Sequence, residues 1–147
     1  MAIKGSNSMR RIRAAARIVR YIWAAPCTGV GLCLIAPAFL FGARARVVDG
    51  VVEVEVPLLA KPTGFLKALP FNAITFGHIV VAASESELNR LRAHEHEHVR
   101  QYERWGILFF AAYPAASFWQ LVRGQRPYID NCFEIQARAK ERGGSIL

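Results

Sequence analysis

The chain has 147 residues, enough for one domain at most, and a formal net charge of +8. Lys4, Arg10, Arg11, Arg13, Arg17 and Arg20 supply six of those charges within the first twenty residues, which contain no acid. The rest is close to balance, which argues against nucleic acid as a partner, because such a surface spreads its charge over the fold. Three cysteines, Cys27, Cys33 and Cys132, make an odd count that defines neither a disulfide framework nor a cysteine metal site.

After the basic segment 1–20 comes a stretch without a charged side chain, residues 21–43. As a helix rising about 1.5 Å per residue it is long enough for a hydrocarbon core of about 30 Å. Pro26, Gly29, Gly31 and Pro37 weaken it as a soluble helix but are tolerated in a membrane one. The segment is expected to be an uncleaved transmembrane signal anchor in contact with membrane lipid. The flanking arginines would sit in the cytoplasm and the remainder, 44–147, outside it.

From Arg46 the pattern turns to β. Val47-Val48, Asp49-Gly50, then Val52, Val54 and Val56 alternating with Glu53 and Glu55 predict a hairpin. Pro57, Pro62, Gly64 and Pro70 mark a loop, with apolar Phe65, Leu66, Leu69 and Phe71 placed to touch the membrane or close over the core. A further strand is expected over 73–83, broken or bulged at Gly77-His78, completing a short antiparallel sheet.

The segment from Glu85 to Trp105 contains no Gly or Pro and one β-branched residue, and Ser84-x-x-Glu87 is a capping box at its start. Leu88, Leu91, Glu95, His98, Tyr102 and Trp105 recur at steps of three and four, which predicts a helix ended by Gly106. It carries His94-Glu95-His96-Glu97-His98, and so one H-E-x-x-H. Two histidines four apart project side by side from a helix and can hold one metal ion, while the glutamate between them reaches water on that metal. His96 and Glu97 are expected on the opposite, solvated flank. His78, just upstream, is a candidate contact for substrate or a transition-state oxygen, although a sheet-edge histidine is the simpler reading.

Residues 107–122 are again uncharged. Sixteen residues span about 24 Å as a helix, marginal for a crossing. A single crossing would separate the histidines from everything downstream, so the segment is expected to bend at Pro114 into an apolar helical hairpin. Arg123 to Pro127 reads as a polar turn, and a last helix is expected from Cys132 to Arg142.

That last helix carries Asn131-Cys132-Phe133-Glu134-Ile135. With it, residues 84–142 resemble the gluzincin metallopeptidases, which carry H-E-x-x-H on one helix and a ligand glutamate on a second. The resemblance implies an α+β fold: a minimal zincin-like domain behind a transmembrane helix. It also implies zinc as cofactor, His94, His98 and Glu134 as ligands, Glu95 as general base, and a peptide or protein substrate. Two departures stand beside it. Arg138 occupies the position four after the ligand glutamate, where many gluzincins have an acid, and Asn131-x-x-Glu134 is also a capping box; Asp130 is the reserve ligand. Two other classes fit the same residues, a metal-binding membrane protein without turnover and a structural membrane protein with an incidental histidine cluster. Oligomeric state is not legible.

Overall fold

A computed structural model describes residues 3–60 and 72–144 of the chain. Helix α1, Ile3–Ile35, runs through both the basic and the apolar segment and continues into a 3-10 turn, Ala36–Phe41. Strands β1 (Arg44–Val48) and β2 (Val51–Glu55) follow, then β3 (Ala73–Phe76) and β4 (Ile79–Ala82). Helix α2, Glu85–Trp105, leads through a 3-10 turn, Gly106–Leu108, into α3, Phe109–Val122, and α4 spans Cys132–Gly144. The apolar loop residues Phe65, Leu66, Leu69 and Phe71 lie outside the described residues.

The first hairpin forms where the turn chemistry requires it. Asp49 and Gly50 both take positive φ, 52° and 82°, which matches a two-residue turn to the strand twist. The second strand region differs from the expectation of one bulged strand. Gly77, at φ +59°, closes a second hairpin between β3 and β4, and a side chain on it would strike Thr28 of α1. Nor is the sheet purely antiparallel: its order is β1-β2-β4-β3, and β2 pairs with β4 in parallel. The long connection from β2 to β3 lets β4 return alongside β2 in the same direction.

The sheet is covered on both faces. Val54, Val56, Ile79 and Val81 pack with Ile35 of α1, while Val51, Val80 and Ala82 pack with Leu88 and Val99 of α2. The two layers also bury charged groups. Glu53, read as the polar side of an alternating strand, is only 1% exposed because it faces α2. His96 and Glu97, expected in water, are also buried: His96 lies 3.2 Å from Glu53, and Arg100 and Arg104 close over Glu97. Periodicity along one helix marks a single buried stripe; it does not count how many layers surround the helix.

α2 begins and ends as its sequence directs. The Ser84 hydroxyl accepts from the Glu87 amide at 3.3 Å, and Gly106 follows at φ +55° against the Trp23 ring. Beyond it, α3 runs straight through Pro114 as one helix; the expected helical hairpin is not formed there. The proline removes one intrahelical bond, and the chain reverses later, over 123–131. There Asp130 accepts from the Arg126 amide and guanidinium, and Asn131 Nδ2 donates to the Tyr113 carbonyl and the Ser117 hydroxyl. Phe133 then packs with Phe109, Tyr102, Ala24 and Cys27, which fixes α4 against α2.

Two helical runs, Met9–Phe41 and Glu85–Val122, are long and apolar enough to cross a membrane. The first also packs on the rest of the chain. Ala24 and Cys27 are fully buried and Ile35 is nearly so, all against the sheet and the other helices.

Candidate metal centre

α2 and α4 bring three side chains to one point. His94 Nε2 and His98 Nε2 are 3.2 Å apart, as one helical turn dictates. Glu134 places Oε2 3.4 Å from His94 Nε2 and Oε1 3.3 Å from His98 Nε2. All three residues are buried, and together they could hold a metal ion.

The protonation chemistry supports that capacity. Two imidazole nitrogens that face each other at this distance can share at most one proton, and a carboxylate beside them cannot donate at all. Among the described residues Glu134 Oε2 is buried without a hydrogen-bond partner, an arrangement that is costly unless something positive completes it. Burial by itself would raise the Glu134 carboxyl, yet His94, His98 and the Tyr113 hydroxyl outweigh it and hold the group far below the carboxylate range. Burial likewise pushes the His98 imidazole down, and Glu134, Glu95 and Gln101 together turn the balance upwards. The pocket therefore favours a bound cation, whether a proton or a metal.

Residues that no motif announced orient the three. Gln101 is 1% exposed; its amide nitrogen donates to the Phe133 carbonyl at 3.0 Å, which turns its oxygen toward His98 Nδ1 at 2.8 Å. A neutral His98 then carries its proton on Nδ1 and presents a bare Nε2. Tyr113 donates to Glu134 Oε1 at 2.7 Å. Thr75 of β3 donates to Glu95 Oε2, also at 2.7 Å, and holds that carboxylate between strand and helix. Glu141, two turns beyond Glu134, lies 3.6 Å from His94 Nδ1. Arg138 reaches Glu134 at 3.6 Å.

The competing roles go elsewhere. Asn131 caps α4 through its own side chain, accepting from the Phe133 amide, so Glu134 is free to turn inward. Asp130 is committed to Arg126. His78 is held away from the centre: it stacks on Tyr21 with ring centroids 3.9 Å apart and meets Glu103 at 3.2 Å. It is not among the residues around the cavity.

That cavity, about 560 Å³, opens beside the three residues and is walled mainly by apolar and aromatic groups of β3, α2 and α3. Glu95 lines it with His94, His98 and Glu134. Among the described residues β3 pairs only with β4, so its other edge is unpaired along the cavity. Comparison of the chain with protein-family models, curated proteins and solved structures finds no match.

Proposed function

We propose that the protein is a membrane-associated zinc metallopeptidase whose ligands are His94, His98 and Glu134 and whose general base is Glu95. The observation that carries this reading is the convergence of two imidazoles and a carboxylate on one cavity that also holds a second, separately supported carboxylate. The donor set suits zinc. Bonds of about 2.0–2.1 Å in a tetrahedral site put ligand atoms about 3.3–3.4 Å apart, close to the 3.2, 3.3 and 3.4 Å separations here. Three protein ligands leave a coordination position open, the arrangement of catalytic rather than structural zinc.

Zinc in this site would supply Lewis acidity and bring the pKa of a water towards neutrality. The chain supplies the remainder. Glu95, fixed by Thr75, takes a proton from the attacking water as that water adds to the peptide carbonyl carbon, and returns it to the leaving amine nitrogen as the C–N bond breaks. The edge of β3 that is unpaired among the described residues offers main-chain hydrogen bonds to an extended peptide, and the apolar wall accepts its side chains.

Metal analysis of the purified protein, followed by a peptide-cleavage assay with and without chelator, tests the reading. One zinc per chain and chelator-sensitive cleavage that Glu95→Gln abolishes without loss of metal are expected. Zinc without any cleavage would reduce the protein to a metal-binding one, and no bound metal would remove the centre altogether.

A further inference from the structure

We propose that the cavity beside the metal centre takes an internal, apolar stretch of a polypeptide chain, and not a chain end or a charged segment. The inference rests on the peptidase reading above and adds a class of substrate to it. It starts from the charges that reach the cavity. Among the described residues its walls carry Glu95 and Glu134 but no lysine or arginine, although the chain has 19 of those. Both carboxylates are engaged: Glu134 faces His94 and His98, and Glu95 accepts from Thr75.

Two further charged groups stand close by and are turned elsewhere. Arg138 donates to the Ile129 carbonyl and lies 3.6 Å from Glu134, and Glu141 lies 3.6 Å from His94 Nδ1; neither lines the cavity. A free α-carboxylate therefore meets no cation except the metal itself, and a free α-amine meets no spare acid. A site for chain ends needs one or the other, because an ionised group taken out of water without a partner is costly.

The wall and the strand instead fit the inside of a chain. Phe110 of α3 packs across Phe76 and Tyr102, with ring centroids 6.4 and 5.7 Å apart, and Ile74, Phe109 and Pro114 continue the wall. The volume of about 560 Å³ falls among pockets of roughly 300–1,000 Å³ that enclose a drug-sized ligand, so it holds more than one side chain. Gly77-His78 is a two-residue turn, so Phe76 and Ile79 on either side of it exchange ladder hydrogen bonds. Alternation along the pair then leaves the N–H and C=O of Thr75 and Ala73 facing the edge that is unpaired among the described residues. Thr75 is the residue that holds Glu95, and β3 continues past it in both directions, to Phe76 on one side and to Ile74 and Ala73 on the other. A strand added to that edge extends both ways from the bond at the metal, and its alternate side chains meet the aromatic wall.

A membrane-spanning segment and the core of an unfolded chain both supply such a run. Binding tests their shared chemistry, using the Glu95→Gln chain in the presence of zinc and labelled short peptides followed by fluorescence anisotropy. A central run of Leu, Phe and Ala with blocked ends should bind, and freeing either end should gain nothing. Asp or Lys within the run should weaken binding about a hundredfold or more. Phe110→Lys, added to the same chain, should weaken the apolar peptide about tenfold or more with zinc content unchanged. The peptide series leaves the wall unaltered and decides alone if that variant loses its zinc. Unchanged binding to a zinc-containing Phe110→Lys chain would place the peptide on the exposed apolar residues of α1 and α3 and overturn the proposal. Tighter binding of a free-ended peptide, or equal binding of the charged ones, would overturn it as well. The run embedded in phosphatidylcholine vesicles and the same run free in buffer distinguish the two sources. Binding of the blocked run with no cleavage of it by the parent chain would sink the peptidase reading and leave this inference standing, whereas cleavage that requires a free chain end would do the reverse.

Discussion

Helix α2 presents two buried histidine–glutamate constellations, and their difference separates scaffold from site. On one side His96 lies beside Glu53, whose carboxylate accepts from Arg92 at 2.7 and 3.1 Å and from Arg46 at 2.9 Å. Burial would raise that carboxyl, but the two guanidinium groups hold it below its ordinary value; burial also lowers His96, which Glu53 only partly offsets. Every charge there has a partner from the protein itself. On the other side, Glu134 meets two imidazoles, and its arginine stands off at 3.6 Å with one carboxylate oxygen unpartnered. The same residue types thus make a closed network in one place and a group that could hold a metal in the other, and what tells them apart is the supply of built-in cations.

The sharpest way to break the comparison is to exchange the losses. His98→Ala, or Glu134→Gln, should reduce metal affinity by roughly a hundredfold or more, since a zinc site left with two protein ligands is no longer selective. His96→Ala should leave one metal per chain. Metal content after gel filtration reads both, and an equal loss in the His96 variant would mean that the two constellations are one. Glu95→Gln should keep the metal and lower any cleavage by about 10²–10⁴-fold, the usual share of a general base.

Next in size is the stability of the closed network. Glu53→Gln replaces charge-assisted hydrogen bonds to Arg92 and Arg46 by neutral ones, a loss of about 1–3 kcal/mol, since both guanidinium groups keep contact with water. Thermal denaturation should show it with metal stoichiometry unchanged. Because the Glu53 carboxyl is depressed in the fold, its contribution is complete above the unfolded value of about 4.3 and is lost as pH falls through the lower folded value. The Glu53→Gln chain should therefore have a shallower acid limb than the parent. An unchanged acid limb would show that the stabilisation at that pH comes from other carboxylates.

The cluster of His94, His98 and Glu134 was legible in the sequence because it obeys local rules. Two histidines four apart on a capped helix need no tertiary information to meet, and Glu134 was reachable because a resemblance supplied the second helix. The supporting residues were not. Gln101 sits three positions after His98, as any helix-surface glutamine might be spaced, and only the Phe133 carbonyl on α4 decides which way its amide points. Thr75 and Tyr113 act from other elements across 20 and 21 residues of chain. The mixed sheet was missed for the same kind of reason: Gly77 signals a turn or a bulge equally well until Thr28 of α1 presses against it. The buried Glu53 was hidden by the strand's alternation, which marks two faces but not whether both are covered.

Gln101 gives the next prediction. Gln101→Leu removes the acceptor that keeps the His98 proton on Nδ1 and should lower metal affinity about 10–100-fold, the range for losing a partner of a ligating histidine. Gln101→Glu restores an acceptor and should recover most of that loss. Cobalt substitution gives a readout beyond activity, since its visible spectrum reports coordination. If leucine and glutamate variants bind equally, the glutamine only packs.

The smallest expected effect is at Glu141. Its carboxylate is 3.6 Å from His94 Nδ1, beyond a good hydrogen bond, and 39% exposed, so water screens the pair. Nevertheless His94 Nδ1 has no other partner among the described residues, and an imidazole that offers Nε2 to a metal carries its proton on Nδ1. Metal binding makes that proton more acidic and strengthens its attraction to a nearby carboxylate, so the contact should tighten when metal binds. Glu141→Gln, which can still accept but has no charge, should therefore cost only a few-fold in metal affinity, and the cost should shrink as ionic strength rises. Competition titrations against a chelator at low and high salt measure this. A loss as large as that of Gln101→Leu, and insensitive to salt, would place Glu141 in direct contact with the metal and make it a fourth ligand in place of the open position.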